Sequence, residues 1–333
     1  MKVAFLIIGG LEMASSRYRV LQYIPFLEKA GIEARVVVIP KLTLERWRLF
    51  KTLKNYDITF IQKKLFQPWE LAYIKLMAHK LIYDLDDAVM YRTATGNYRR
   101  SFTRWLNFQT IARTSDLVIA GNSYIMGETR RYNNRVECLP TVIDAEMYKP
   151  NDNQAVAIND KIILGWIGSK PNLKYLEDIG KTLDRLFLKY HDVELKIVAD
   201  DFIRLERMPV IEKRWRMEDE VTDLQGFDIG LMPLPDSPWA RGKCGFKLLQ
   251  YMALGLPVVC SPVGANKDIV KEGQNGFLAN SPEEWYSKLS VLIEDFRLRK
   301  AMGRRGREIL EEKYSLHHTA PRFIELLRTV YKS

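Results

Sequence analysis

The segment Pro233–Gly264 reads PLPDSPWARGKCGFKLLQYMALGLPVVCSPVG. Arg241, Gly242, Lys243, Cys244, Gly245 and Lys247 crowd together here, after an apolar run and before a helical one that Phe246 opens. Glycine lets backbone N–H groups come close to a ligand. A helix N-terminus offers unpaired N–H donors and partial positive charge, which favour phosphate. The three cations would add charge-assisted hydrogen bonds. The combination is that of a diphosphate cradle. A solvated glycine loop would explain the composition but not the convergence of these features.

Other candidates follow from their places at strand ends. Gln250 lies three residues after Lys247, on the same side of the helix, where a carboxamide could bind ribose hydroxyls; a surface glutamine is the plain alternative. Ser261 and Gly264 follow the next apolar run, in a turn that Pro262 and the glycine would also explain. The stretch GWIGSK, Gly165–Lys170, ends another apolar run, which places Gly168, Ser169, Lys170 and Asn172 where an anion would meet backbone donors. Gly9-Gly10 ends the first apolar run, with Ser16, Arg17 and Arg19 just beyond it. Asp84, Asp86 and Asp87 are a ligand type that suits Mg²⁺ or Mn²⁺. No second ligand cluster accompanies them, and the basic loops could neutralise a diphosphate unaided, so a metal-independent site is expected. One of these carboxylates, Asp86, could instead face a sugar or an acceptor hydroxyl. His79, His191, His317 and His318 form no triad or zinc spacing.

The elements that would hold these residues alternate in type. Strands are expected at Val3–Ile8, Glu33–Ile39, Ile58–Ile61, Leu81–Tyr83, Leu117–Ala120 and Val136–Leu139, and again at Ile162–Ile167, Glu194–Ala199, Asp228–Met232 and Pro257–Cys260. Helices are expected between them, among them Arg17–Ala30, a basic stretch near Tyr98–Arg113, Asn172–Tyr190 and Phe246–Leu254. Helices from Pro282 to Asp295, Leu298 to Lys313 and His317 to Tyr331 close the chain. Such alternation implies parallel sheets covered on both faces. The pattern restarts after the proline-bearing stretch Leu139–Pro150, which reads as a linker. Two α/β domains are therefore expected, residues 1–145 and 146–316. Ligands bind beyond the carboxyl ends of such strands, so the gap between two facing domains is the default site.

At 333 residues the chain suits two domains of about 100–200 residues each. Its 47% hydrophobic and 28% charged residues are globular proportions. No apolar run is long enough to span a bilayer. Met1–Ile8 lacks the small-residue cleavage site of a signal peptide and reads as a buried strand. Cys138, Cys244 and Cys260 are odd in number and without metal spacing, which suits a reducing cytoplasm. Residues 1–155 hold 23 Lys and Arg against 15 Asp and Glu, whereas residues 156–333 hold 28 against 26. A basic N-terminal half implies an anionic partner: a phosphorylated substrate, a membrane surface or nucleic acid. No nucleic-acid module is present and the surplus is modest for that role.

The stretch KLLQYMALGLPVVCSPVGANKDIVKEGQNGFLA, residues 247–279, resembles the signature of family 4 retaining glycosyltransferases. SDLVIAGNSYI, LPTVIDAEMYKP and the Gly9-Gly10 loop also follow that family's order. The resemblance implies a GT-B fold: two Rossmann-like domains with parallel sheets facing across a cleft, and a final helix, 317–331, returning to the first domain. It implies a nucleotide diphosphate sugar as substrate, no cofactor, and transfer with retention to a saccharide or lipid-linked acceptor. The setting implied is polysaccharide or glycolipid assembly in the cytoplasm, in contact with an anionic inner membrane face. The donor would meet Gly10, Gly168, Ser169, Lys170, Asn172, Lys243, Cys244, Gly245, Phe246, Gln250, Ser261 and Gly264. Ser16, Arg17, Arg19 and Asp87 would lie on the acceptor side. Asp86, Lys247 and Arg241 would carry catalysis.

This sequence departs from the family at three places. The second Glu of the Glu-x7-Glu pattern falls on Gln250, and the first falls near Cys244 or Gly245 with shortened spacing. Asp86-Asp87 stands where a His-Asp pair is usual. The family's basic pair would be Lys247 with one of Arg241, Lys243 or Lys170. A sugar-nucleotide epimerase of the same fold and a non-catalytic nucleotide-sugar binder are the alternatives these departures leave.

Overall fold

Strands form where apolar, β-branched residues run together. The computed structural model describes residues 1–91, 101–150 and 161–333. The chain divides into two units: Met1–Val142 with Ser237–Cys244 and Leu316–Ser333, and Ile143–Asp236 with Gly245–Ser315.

The first unit is built on β1 (Lys2–Ile7), β2 (Glu33–Val38), β3 (Ile58–Gln62), β4 (Lys80–Leu85), β5 (Leu117–Ala120) and β6 (Val136–Cys138). The order across the sheet is β2-β1-β3-β4-β5-β6, and every pairing is parallel. Alternate residues of β1 enter different cores: Val3, Phe5 and Ile7 on one face, Ala4 and Leu6 on the other. A strand buried on both faces must be apolar throughout, as β1 and β3 nearly are. The helix Leu316–Lys332 covers the first face, with Phe323 4.6 Å from the Tyr23 ring and 5.7 Å from that of Phe60.

The second unit repeats the plan with β7 (Ile162–Ile167), β8 (Val193–Ala199), β9 (Val210–Arg214), β10 (Ile229–Met232), β11 (Val258–Cys260) and β12 (Gly276–Leu278). Its order is β12-β11-β10-β7-β8-β9, again parallel. Arg307, in the helix Phe296–Lys313, donates to the carbonyls of Ala145, Tyr148 and Ala253, and so ties the stretch after Ile143 to this unit.

The ten expected strands are all present, and β9 and β12 are additional. The expected helix Arg17–Ala30 is broken into Ala14–Arg19, a short 3₁₀ turn at Leu21–Tyr23 and Ile24–Lys29. Pro25 explains the break, since it brings no N–H and starts a helix more readily than it continues one. The expected Asn172–Tyr190 is likewise divided into Leu173–Glu177 and Gly180–Lys189. Phe102–Thr114 is the helix of the basic stretch; residues 98–100 of that expectation lie outside the described residues.

Gly303, in the helix Phe296–Lys313, lies against the backbone of Gly255: a Cβ there would stand 1.8 Å from the Gly255 carbonyl oxygen. Gly127, inside the helix Ser123–Arg130, has nothing within 4 Å of such an atom. Gly303→Ala is therefore expected to destabilise by about 1–3 kcal/mol through overpacking. Gly127→Ala should stabilise by up to about 1 kcal/mol, because alanine is the better helix former. Denaturant midpoints of the two variants check both signs.

Candidate functional site

In the second unit the neighbouring strands β7, β10 and β11 end on one edge. Beyond β7 come Gly168, Ser169 and a 3₁₀ turn at Lys170–Asn172, where the Asn172 amide donates to Ser169 Oγ at 2.9 Å. The Lys170 N–H donates to Asp200 Oδ1 at 2.6 Å, and its ammonium pairs with Asp201 at 2.8 Å. Lys170 thus meets carboxylates of its own chain, and the hydrogen bond that its ammonium donates to Asp201 raises its pKa.

The helix Phe246–Ala253 begins at Gly245, whose φ of +68° lies in the left-handed region that glycine enters without strain. Having no side chain, Gly245 does not cap the helix. A Cβ on it would stand 2.4 Å from Ile269 Cδ1, so the chain after β11 is packed against this helix start. Asn266 holds that loop by donating to the Ser261 carbonyl at 2.9 Å, while Ser261 Oγ accepts the Leu234 N–H at 3.0 Å. Gly264 completes the turn at φ +54°. In the first turn of the helix, the Lys247 ammonium lies 4.9 Å from the centre of the Trp166 ring, within cation–π reach. Gly168 borders the same ring: a Cβ on it would be 2.3 Å from Trp166. Gln250 is buried a further turn along. The second unit therefore gathers residues from three separate stretches: 166–172, 245–250 and 261–266.

In the first unit the ends of β3 and β4 hold an ionic cluster. Gln62 pairs in register with Asp84, and its Oε1 accepts from the Ile8 N–H at 3.2 Å and Ser16 Oγ at 3.1 Å. Arg19 makes a two-pronged contact with Asp84, Nε lying 3.1 Å from Oδ2, and also donates to the Leu139 carbonyl at 2.7 Å. Burial opposes the Arg19 charge, but Asp84 outweighs it and holds the guanidinium ionised. Arg19, expected on the acceptor side, is thus engaged with its own chain, and Ser16 is fully buried. Arg17 lies with its guanidinium 4.7 Å over the Tyr18 ring. The Gly10 N–H donates to Glu12 Oε1 at 3.3 Å.

Lys63 is the residue that the motifs did not single out. Its φ of +59° makes it the one non-glycine residue with positive φ among the described residues. Its ammonium bridges Asp86, at 3.1 Å from Oδ1, and Asp87, and reaches Ser15 Oγ at 3.1 Å. Burial works against its charge, and the two carboxylates overcome that and keep it protonated. A lysine at the end of one strand, beside a carboxylate pair at the end of the next, is the signal that could have found it.

The segment Ser237–Cys244 groups with these residues rather than with the strand it follows. Asn122 donates to the carbonyls of Lys243, at 3.0 Å, and Arg241, at 3.4 Å. A Cβ on Gly242 would be 2.3 Å from that of Ala88, and Trp239 is part of the first unit's core, with the Lys243 ammonium 5.6 Å over its ring. Burial and the nearby Asp86 and Asp87 push the Cys244 thiol up to about 11. Of the candidate residues, Gly10, Ser16, Arg17, Arg19, Asp86, Asp87, Arg241, Lys243 and Cys244 belong to the first unit, and the rest to the second.

Residues 161–295 match the family model described as glycosyl transferases group 1. This stretch is a glycosyl transferases group 1 domain. It spans the whole β7–β12 sheet and all three gathered stretches. The chain is 23% identical over 268 residues to D-inositol 3-phosphate glycosyltransferase of Corynebacterium urealyticum, covering 71% of this chain and 62% of that protein. It thus spans less than two thirds of that relative. Sucrose-phosphate synthase from Thermosynechococcus elongatus superposes with a TM-score of 0.77 at 16% identity, covering 100% of this chain and 99% of the other. Anabaena HepE in complex with UDP and glucose gives 0.73 at 16% identity, covering 99% and 100%. The group 1 domain and its partner unit together have the GT-B glycosyltransferase fold.

Lys63→Met should leave the buried Asp86 and its neighbour without their cation, at a cost of about 3 kcal/mol. Denaturant unfolding measures this, and Asp86→Asn in the same chain should restore part of the loss. In iodoacetamide labelling at pH 8, the exposed Cys138 should react first. Cys244 should react slowly, its rate rising roughly tenfold per pH unit until the thiol titrates near pH 11. Peptide mass spectrometry of the labelled sites reads the order.

Proposed function

We propose that the chain is a glycosyltransferase that takes a sugar from a nucleoside diphosphate donor and passes it to an acceptor with retention of anomeric configuration. The observation that carries this reading is the meeting, in the group 1 domain, of the Lys247 ammonium, a helix start without a side-chain cap and the Gly168 loop. As the sugar–phosphate bond breaks, negative charge builds on the diphosphate. A fixed ammonium and helix N–H groups would stabilise that charge more in the transition state than before it. Ser261 and Gly264 would line the same pocket, and Gln250 would hydrogen-bond the ribose. The UDP and glucose in the HepE complex support a uridine diphosphate hexose as donor.

The first unit would recognise the acceptor. Asp86 and Asp87, held in place by Lys63, are its candidates for a sugar or acceptor hydroxyl. The basic surplus of residues 1–155 suits an anionic acceptor, in keeping with the inositol phosphate named for the Corynebacterium relative. Catalysis would need no metal, because the cations of the chain itself would balance the diphosphate.

UDP at 100 times its Kd should raise the stability of the chain by about 2.7 kcal/mol in a thermal-shift titration. Lys247→Ala should slow single-turnover consumption of UDP-glucose by about 100-fold to 1,000-fold, as does loss of one strong electrostatic donor elsewhere. The anomeric coupling constant of the transferred sugar reads retention. Equal consumption rates in the parent and Lys247→Ala would end the assignment of Lys247.

A further inference from the structure

The helix Phe296–Lys313 carries its charges against its own dipole. Arg297, Arg299 and Lys300 crowd its start, where the first turn holds no acidic residue, and Arg304 follows one turn on. Glu308, Glu311 and Glu312 come towards the other end. A helix N-terminus is partly positive, so this order repels where the reverse would attract. The cations of the second half have partners: Arg305 pairs with Glu308, and Arg307 with Glu311. Among the described residues, Arg297, Arg299, Lys300 and Arg304 form no ion pair. The two carboxylates just before the helix are engaged elsewhere: Asp295 accepts the Leu298 N–H at 2.9 Å, and Glu294 pairs with Lys189.

These cations border a recess in the second unit. Asp228 immediately precedes β10 and Pro257 immediately precedes β11, so the recess lies at the amino ends of the strands, on the edge opposite Gly168 and Ser261. Gly255, Phe296, Arg299 and Lys300 also line it, and its empty space, solvent at the mouth included, is about 260 Å³. Its walls are fixed. A Cβ on Gly303 would stand 1.8 Å from the Gly255 carbonyl oxygen, which leaves no gap between helix and loop. Arg299 donates to the carbonyls of Leu292 and Ile293, at 2.6 and 2.9 Å, and Asp228 accepts the Ile163 N–H at 2.9 Å. The Phe296 ring is 52% exposed, with the Arg299 guanidinium 5.5 Å and the Lys300 ammonium 5.6 Å from its centre. Burial lowers the pKa of Arg299, and Asp228 and Asp295 offset that only in part. Cations without counter-charge beside an open ring suit an anion with a carbon skeleton: charge-assisted hydrogen bonds hold a phosphate, and the ring covers the apolar side of the rest. The space is below the ~300–1,000 Å³ of sites for drug-sized ligands. It suits a pentose or hexose phosphate and not a nucleoside diphosphate sugar.

We infer that the recess between Pro257 and Phe296 is a second ligand site that takes a small sugar phosphate, its phosphate on Arg299 and Lys300 with Arg297 and Arg304 at the rim, and its carbon skeleton against Phe296. The inference stands apart from sugar transfer, and its test measures no turnover. The full chain is titrated with ribose 5-phosphate and with free ribose by isothermal calorimetry. Ribose 5-phosphate should bind at millimolar concentration or below, and ribose should not. Arg297→Glu/Lys300→Glu should weaken that binding by about tenfold or more. The melting temperature of this variant without ligand should hold or rise, because acids then stand at the helix start. Binding should persist in Lys247→Ala, which alters the opposite edge of the sheet. No binding of ribose 5-phosphate, or equal binding of ribose, overturns the inference. So does binding that is lost in Lys247→Ala and kept in Arg297→Glu/Lys300→Glu, since the ligand then sits at the other edge.

Discussion

A parallel strand cannot be reached by a tight turn; the chain must cross over a face of the sheet and return to the edge where it began. Every strand of both sheets obeys this constraint, so each unit has all its strand-to-helix loops on one edge. Residues far apart in sequence, such as Trp166 and Lys247, or Gly245 and Ile269, then become neighbours without any loop of unusual length. The same constraint makes the strands apolar on both faces and sends the polar chemistry to their ends. The buried sheet interior and the gathered loops are therefore one feature seen from two sides.

Strand ends are also where ions are held against burial. Asp84 ends β4 at full burial and is matched by a guanidinium that arrives from the helix after β1. Lys63 does the same for Asp86 and Asp87, from a backbone conformation that a residue with a Cβ seldom adopts. The two clusters join the ends of β1, β3 and β4, through Gln62 and Ser16 as well as the ion pairs. Such pairs are weak sources of net stability, but removal of one member leaves a charge stranded. Their effect is to fix where the carboxylates point.

Much of this was legible in the sequence, and the exceptions have physical causes. Eight of the ten strands that could be read are runs of four to seven mostly apolar residues; β6 and β11 are as short as β12, but a following proline marks where each apolar stretch ends. β9, Val-Ile-Glu-Lys-Arg, lies at a sheet edge with charged residues exposed, so it lacks the signal of a buried strand. β12 is Gly-Phe-Leu, too short for any period to appear. The helix start after Gly245 and the lysine on its first turn could be read because neighbours in sequence carried them. Lys63 could not, because its partners lie more than twenty residues away on the next strand. Nor could the grouping of Ser237–Cys244 with the first unit, which rests on Asn122 and on the close approach of Gly242 to Ala88. Local patterns reveal elements, and long-range contacts decide which element a loop serves.

The helix Leu316–Lys332 closes one face of the sheet that begins at Lys2. During synthesis, Phe5, Tyr23 and Phe60 emerge from the ribosome some three hundred residues before Phe323, the ring that covers them. The second unit has all of its sheet by residue 278 and the rest of its chain by Ser315. The half that is translated first therefore completes its core last: until Leu316–Lys332 has been made, the face that holds Phe5, Tyr23 and Phe60 lacks its cover.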